Sequence, residues 1–143
     1  MVAKTITGIK IKNYEYFRIK RQRQFRQINH GYQIASTTFN PQGGDFRTVF
    51  TKNGKLIGIT SSGDTFDLVH DNLEALINDG CTICVCACRT YDRSDQGTNA
   101  AIDSFTNFQK QYINKRVAAS AVQEQQANQA DAQILFNTVD ALV

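Results

Sequence analysis

The run CTICVCAC at positions 81–88 limits the folds open to this chain more than any other feature. Eight small or apolar residues between Gly80 and Arg89 are typical of a strand buried on both faces of a sheet. Apolar residues recur at helical spacing just before it, over 66–77, and predict an amphipathic helix. Gly80 supplies the left-handed end of that helix. We therefore expect the helix to pack on the sheet that holds the buried strand.

Two further strands are expected before the helix, at about 46–52 and 55–60. Asn53 and Gly54 between them supply the positive φ angles of a two-residue hairpin turn. Because strand, helix and strand follow one another over 55–88, we expect a parallel, right-handed crossover between the two flanking strands.

The remaining segments predict strands towards the N-terminus and helix towards the C-terminus. Alternation of apolar and polar residues predicts strands at 4–12, 14–20 and 32–39, and hairpins among them would form an antiparallel part of the same sheet. A helix is expected over about 98–113. The Ala- and Gln-rich segment 114–143 favours a helical arm.

The predicted fold class is α+β, with antiparallel hairpins and one strand–helix–strand unit in a mixed sheet, followed by a helical C-terminal arm. With 143 residues, 41% of them hydrophobic, the chain is long enough to form one domain with its own core. We expect that domain to cover 1–113 and the arm 114–143. No apolar run approaches the roughly 20 residues needed to cross a bilayer, and the first residues do not resemble a secretory signal, so we expect a cytoplasmic protein.

The four cysteines lie within one eight-residue stretch, whereas disulfide frameworks spread cysteines along a chain. Along a strand, alternate cysteines point to one face about 7 Å apart, which is too far for neighbouring side chains to share one ion easily. We therefore expect no disulfide, no metal and no cofactor. The interpretation favoured by their burial tendency is that the cysteines act as small hydrophobic core residues.

The carboxyl end of the cysteine strand offers a second interpretation, in which a thiol reacts. Cys88 ends the strand and Cys86 precedes it on the same face, while Arg89 follows directly. A thiolate beside an arginine would have a lowered pKa and greater reactivity. Neither histidine, His30 nor His70, is placed to act as its base.

An anion site is a further candidate at the same end of the sheet. The preceding parallel strand ends at Ser61, Ser62 and Gly63, and hydroxyls near a helix N-terminus can hold an anion. Asp64 or Thr65 is expected to cap that helix. If Asp64 takes the position, its carboxylate already occupies the positive end of the helix.

The stretch GITSSGDTFDLVHDNLEALINDGCTICVCACRTYDR, within residues 58–93, resembles the second half of the DsrE-type sulfur-relay proteins. The resemblance rests on a strand followed by a glycine, a helix, and a strand with a cysteine. It implies a cysteine that carries persulfide sulfur, and Cys84, Cys86 and Cys88 are all candidates. Residues 1–54 depart from that family, because they predict hairpins in place of an opening parallel strand and helix.

Charge divides the chain into two unlike parts, because residues 1–50 sum to +7 and residues 51–143 to −4. Aromatic residues interleave with the basic ones near the N-terminus, which is a pattern suited to single-stranded nucleic acid. Aromatics turned inward on strands, with arginines in solvent, would give the same pattern without any ligand. The candidate nucleic-acid residues are Arg18, Lys20, Arg21, Arg23 and Arg26.

The favoured function is a non-catalytic structural subunit that self-associates, with a virion component assembled in the cytoplasm as one example. Opposed charge favours contact between copies, and the apolar end of the arm, residues 134–142, is expected to dock on a second copy. On this hypothesis, deleting 131–143 would dissociate an oligomer. The alternatives are a DsrE-like sulfur carrier and a nucleic-acid-binding protein.

Overall fold

A computed structural model describes residues 4–11, 31–39, 46–61, 65–89, 92, 96–114, 130 and 133–143. Within these ranges the chain forms one six-stranded mixed sheet with helices, and the predicted α+β class is confirmed. The predicted strand at 14–20 lies outside the described residues, as do most residues of the predicted arm. No helix in the described ranges combines the length and apolarity needed to cross a membrane.

The elements follow in chain order as β1 (Thr5–Ile11), β2 (Gln33–Phe39), β3 (Phe46–Lys52), β4 (Lys55–Thr60), α1 (Phe66–Asn78), β5 (Ile83–Arg89), α2 (Thr98–Asp103), β6 (Gln109–Asn114) and α3 (133–140). In the sheet the strands lie in the order β2-β3-β4-β5-β1-β6. The pairs β2–β3 and β3–β4 are antiparallel, whereas the pairs β4–β5, β5–β1 and β1–β6 are parallel.

The middle of the chain forms the elements that its local sequence patterns predict. Asn53 and Gly54 have φ angles of 53° and 76°, so the β3–β4 hairpin has the turn that its sequence predicts. Helix α1 joins β4 to β5, which pair in parallel, and Gly80 has a φ of 100° after the helix ends. The predicted hairpin, helix and parallel crossover are confirmed.

Strand β1 occupies a place that the sequence did not predict. We expected it in the antiparallel part of the sheet, but it lies between β5 and β6 and is parallel to both. Thr5, Ile6 and Thr7 are all fully buried, which is the burial of a central strand. Alternation alone does not separate a central strand whose polar positions are threonines from an edge strand.

The predicted helix over 98–113 is found only over Thr98–Asp103, and its second part is wrong, because β6 follows. Backbone bonds from Phe105 to Ile102 and from Phe108 to Phe105, both 3.2 Å, turn the chain after the helix. The Gln109 amide then donates to the Lys4 carbonyl at 2.8 Å and begins the pairing with β1. The open edge of β1 offers backbone partners that an isolated helix would not supply, and this tertiary pairing overrides the local preference.

The sheet has two unlike faces. The cysteine face, which carries Cys84, Cys86 and Cys88, is covered by α1 and α2. The opposite face carries Tyr32, Phe46 and Phe50 and is covered by α3, and we name it the aromatic face. Both layers bury apolar side chains, so the sheet is the middle layer of the described part of the chain.

The apolar end of the arm, which was predicted to dock on a second copy, docks on its own chain instead. Leu135, Phe136 and Val139 of α3 are buried in the same core cluster as the aromatic face of their own chain, and the Phe136 ring meets Tyr32 edge-on at 5.7 Å. The reason is that α1 and α2 cover only one face of the sheet. The large side chains of the other face therefore take the apolar end of the arm as their cover.

Candidate functional site

The cysteines of β5 form a row beneath the helices. Cys84, Cys86 and Cys88 have no exposed surface, and Cys81 before the strand is 3% exposed. The four thiols form no disulfide with one another. Their neighbours in the core are apolar residues of the helices and of β1, namely Val69, Leu73, Leu76, Ala101, Ile102 and Ile6.

Burial makes these thiols weak acids. It raises the pKa of Cys84 and of Cys86 well above the ordinary value, and it raises the pKa of Cys81 to about 11, where the Asp79 carboxylate adds to the effect. A nucleophilic cysteine needs a lowered pKa and access to solvent. Cys84 and Cys86 have neither in this conformation, and Cys88 lacks the access.

A shallow gap in β1 lets a tyrosine lie beside the cysteine row. Gly8 of β1 is in register with Cys86 on one side and with Tyr112 of β6 on the other. A Cβ at Gly8 would stand 3.0 Å from the Tyr112 ring and from Ile102, so the missing side chain makes room for both. The Tyr112 hydroxyl donates to Asp103 at 2.9 Å, and burial with this hydrogen bond raises the pKa of Tyr112.

Ser61, one of the predicted anion-binding residues, has a structural role. It is buried, its hydroxyl accepts the Phe46 amide at 2.9 Å, and its own amide donates to the Phe46 carbonyl at 3.0 Å. These bonds extend the β3–β4 pairing by one residue. Ser62 and Gly63, the other two candidates, lie outside the described residues.

The two helix N-termini at this end of the sheet are capped from within the chain. Thr65 caps α1, because its Oγ1 accepts the Leu68 amide at 3.2 Å. At α2 the Asp92 carboxylate accepts the amides of Asn99 and Ala100, both at 2.9 Å. Asp92 was not among the predicted site residues, because it lies six residues before Thr98 and capping signals in a sequence are expected at the residue next to the helix.

The first turn of α2 also fixes the backbone of Arg89. The Arg89 amide donates to Thr98 Oγ1 at 2.9 Å, and the Arg89 carbonyl accepts from Asn99 Nδ2 at 3.1 Å. The end of β5, where Cys88 and Arg89 were predicted to form a reactive site, is therefore held against α2 by hydrogen bonds. The described part of the chain brings no three His, Cys, Asp or Glu side chains together as a metal site.

The candidate nucleic-acid residues Arg18, Lys20, Arg21, Arg23 and Arg26 lie outside the described residues. Of the basic N-terminal half, Arg47 of β3 is described, and its guanidinium donates to Asn72 of α1 at 3.0 Å. This side chain therefore joins the sheet to a helix.

Strand β2 lies at one end of the described sheet, and most of its described side chains are exposed to solvent. Gln33, Ile34, Ala35 and Ser36 are all exposed, and Ile34 is 48% exposed. A β-bulge shifts the register between Ile34 and Ser36, so Ile34 is opposite Phe50 of the aromatic face and Ser36 is opposite Val49, which packs on the cysteine face. Within the described residues β2 pairs with β3 alone. Its seven residues, QIASTTF, include no charged side chain.

The chain matches no protein-family model, and no curated protein or solved structure matches it at a significant level. The function is therefore inferred from the geometry of this chain. Its cysteine row and strand ends are occupied by internal packing and hydrogen bonds, whereas most described side chains of β2 are exposed.

Proposed function

We propose that this protein is a non-catalytic structural subunit that self-associates, as the subunits of a virion do. The observation that carries the proposal is the exposed, uncharged edge strand β2. An edge strand presents unpaired backbone donors and acceptors, and proteins that stay monomeric usually protect such strands with charged residues, prolines or covering elements. Gln33–Ser36 has no charge or proline and its side chains are exposed, although a β-bulge between Ile34 and Ser36 is a feature that also protects edges.

Charge supports contact between copies as well. Residues 1–50 are basic overall and residues 51–143 are acidic. On α1 the carboxylates of Asp67, Asp71 and Glu74 are exposed at helical spacing, so they form an acidic stripe. Opposite charges on two parts of one subunit favour association of one copy with the next and disfavour wrong partners.

Sedimentation velocity of the full chain over a wide range of protein concentration tests the proposal. We expect a defined oligomer whose fraction grows with concentration, and we expect rising salt to weaken the charged part of the contact. A protein that sediments as a monomer at every concentration would contradict self-association.

Sulfur transfer through Cys86 or Cys88 stays a prediction of the DsrE-type resemblance. It would require the cysteine face to open, because the thiols are buried beneath α1 and α2. Alkylation at neutral pH followed by intact-mass measurement tests this alternative. Four slow thiols in the native protein, all modified quickly after denaturation, would count against it, whereas one fast native thiol that is lost in Cys88→Ser would favour it.

Nucleic-acid binding by the basic segment 18–26 also stays a prediction. Its measurement is the dependence of oligonucleotide affinity on salt, since a protein that neutralises several phosphates loses affinity steeply as salt rises. The absence of binding at low salt would exclude this function.

A further inference from the structure

Helix α3 is connected to the sheet in a different way from α1. Helix α1 lies between β4 and β5, which pair with each other, and only residues 61–65 and 79–82 join it to them. Helix α3 follows β6 after residues 115–132, and no strand follows it in the described part of the chain. The chain connections therefore allow α3 to leave the sheet without separating any pair of strands, whereas the short connections of α1 do not.

The contacts that hold α3 on the aromatic face are made by side chains. Three apolar side chains of the helix are buried in the core cluster of that face, namely Leu135, Phe136 and Val139. The Tyr32 hydroxyl donates to the Asp140 carboxylate at 3.1 Å. The backbone bonds at the end of the helix stay within it, as in the bond of 3.1 Å from the Ala141 amide to the Asn137 carbonyl. Undocking of α3 therefore breaks side-chain contacts and leaves the backbone bonds of the sheet intact.

Two lysines hold the C-terminal end of α3. Lys52 and Lys55 are opposite each other on the two sides of the β3–β4 turn. The Lys55 ammonium donates to the carbonyls of Leu142 and Val143, both at 3.1 Å, and the Lys52 ammonium pairs with Asp140. Positive charge is favourable at this end of a helix, because the last carbonyls carry partial negative charge. The hairpin therefore adds a charged contact to the apolar packing of α3.

We propose that α3 is a reversible cover, which opens from the aromatic face as one unit while the sheet, α1 and α2 stay folded. Proteins open in separate cooperative units whose free energies range up to that of global unfolding, and an element with a strand on only one side of it belongs at the low end of this range. Opening exposes rings that are buried in the closed state, among them Phe46 and Phe50. The inference does not depend on the proposed self-association.

Two matched valines test the opening. Val139 of α3 and Val69 of α1 have no exposed surface, so Val139→Cys and Val69→Cys each add one thiol to the core, on opposite faces of the sheet. Alkylation at neutral pH, followed by intact-mass measurement and peptide mapping, gives the rate at each position. We expect the added thiol to react roughly 100-fold faster in Val139→Cys, because local opening needs less free energy than global unfolding. Equal rates would overturn the proposal.

A second pair of variants tests the lysine contacts. Combined with Val139→Cys, Lys55→Met should speed alkylation of the added thiol about tenfold, since two hydrogen bonds to α3 are lost. Lys110→Met is the control, because the Lys110 ammonium contacts the Phe105 carbonyl on the cysteine face. That contact is the same whether α3 is open or closed, so the control should leave the rate within about twofold. Equal acceleration by both changes would show that the thiol reacts only after global unfolding, and would overturn the cover.

Hydrogen exchange of the unmodified chain makes the same comparison without a substitution. Residues 133–143 should exchange faster than residues 66–78 of α1. Their exchange should also depend less steeply on denaturant, because opening of α3 exposes less surface than global unfolding. The same rate and the same denaturant dependence in both helices would overturn the proposal, even where a cysteine variant fails to fold.

Discussion

The two faces of the sheet differ in how far apart in the sequence their partners lie. The cysteine face is covered by α1 and α2, which directly follow β4 and β5 along the chain. The aromatic face is covered by α3, and the hydrogen bond from Tyr32 to Asp140 spans 108 residues. One face is therefore completed by local connections, whereas the other is completed only when the end of the chain docks.

This difference explains why the two faces carry different side chains. The helices of the cysteine face pack close to the strands, and small residues let them approach: a Cβ at Gly58 would stand 2.6 Å from Leu76. Among the described residues the aromatic face meets α3, and large rings such as Phe46 and Phe50 pack in the same cluster. Close approach and large side chains are two ways to reach the same interior packing density.

The largest expected effect comes from breaking the aromatic face. Phe136→Ala removes a ring that is 6% exposed and should lower the free energy of unfolding by about 3–5 kcal/mol, measured by chemical denaturation. Ile134→Ala on the same helix is the control. Because Ile134 is 38% exposed, this change should lower the free energy of unfolding far less. Equal losses would mean that α3 does not complete the core.

Deletion of 131–143 removes α3 together with the apolar residues that cover the aromatic face. Removal of α3 uncovers the aromatic face, so the shortened chain should lose stability whether or not it associates. Dissociation after that deletion would consequently say little about an interface.

The next largest effect is expected from adding a methyl group to the closely packed cysteine face. Gly58→Ala places a Cβ within 2.9 Å of three atoms of Leu76, a side chain with no exposed surface. We expect a loss of about 1–3 kcal/mol from overpacking. Gly8→Ala should cost less, because its nearest contacts are 3.0 Å away.

A double-mutant cycle of Gly58→Ala with Leu76→Ala checks the cause. The two changes should be non-additive, since the second removes the atoms that the first meets. Additive losses would show that the strain at Gly58 has another origin.

Local signals were enough to predict the centre of the chain. The Asn53-Gly54 turn, the apolar stripe of α1 and the Gly80 stop all act within a few residues, and each is found as predicted. Strands β1 and β6 depend on each other, because the first becomes central only when the second pairs beside it. The position of β1 in the sheet is therefore determined by contacts between residues about a hundred positions apart, which the periodicity of a local segment cannot predict.

The burial of the cysteines could be predicted from the sequence, but the roles of the other candidate site residues could not. The cysteines are buried core residues, as their type favours. Ser61 and Arg89 were singled out because of their position at the strand ends, yet the structure uses the Ser61 hydroxyl and the Arg89 backbone for internal hydrogen bonds. Exposure of the β2 side chains could not be predicted, because the sequence alone does not reveal which strands end a sheet.

High pH should lower the free energy of unfolding through groups on both faces of the sheet. The dependence on pH should be clearer for the cysteine face. The pKa of Cys81 is raised to about 11 in the folded protein, so the folded state keeps a proton that the unfolded state releases. The stabilisation is complete below about pH 9 and is lost as pH rises through 11. One such thiol lowers the stability by about 1.4 kcal/mol per pH unit within that window.

Denaturation at a series of pH values measures this slope. Cys81→Ala should reduce this slope without abolishing it, because the raised pKa values of Cys84 and Cys86 leave a loss of the same sign, to which the raised pKa of Tyr32 adds above the usual tyrosine range. A stability that stays constant from pH 8 to 11, the range in which thiols and phenols titrate, would contradict a buried, protonated Cys81.

The smallest expected effect concerns the polar contacts at the end of α3. Lys52 pairs with Asp140 at 2.5 Å, but the Asp140 side chain is 41% exposed, and exposed ion pairs contribute about 0–1 kcal/mol. A double-mutant cycle of Lys52→Met with Asp140→Asn should therefore give a coupling energy below about 1 kcal/mol. Tyr32→Phe removes the hydrogen bond from the Tyr32 hydroxyl to Asp140 and keeps the ring contact with Phe136, so it measures the hydrogen bond alone. A coupling well above that value, together with a mild Phe136→Ala, would show that polar contacts rather than apolar packing hold α3 on the aromatic face.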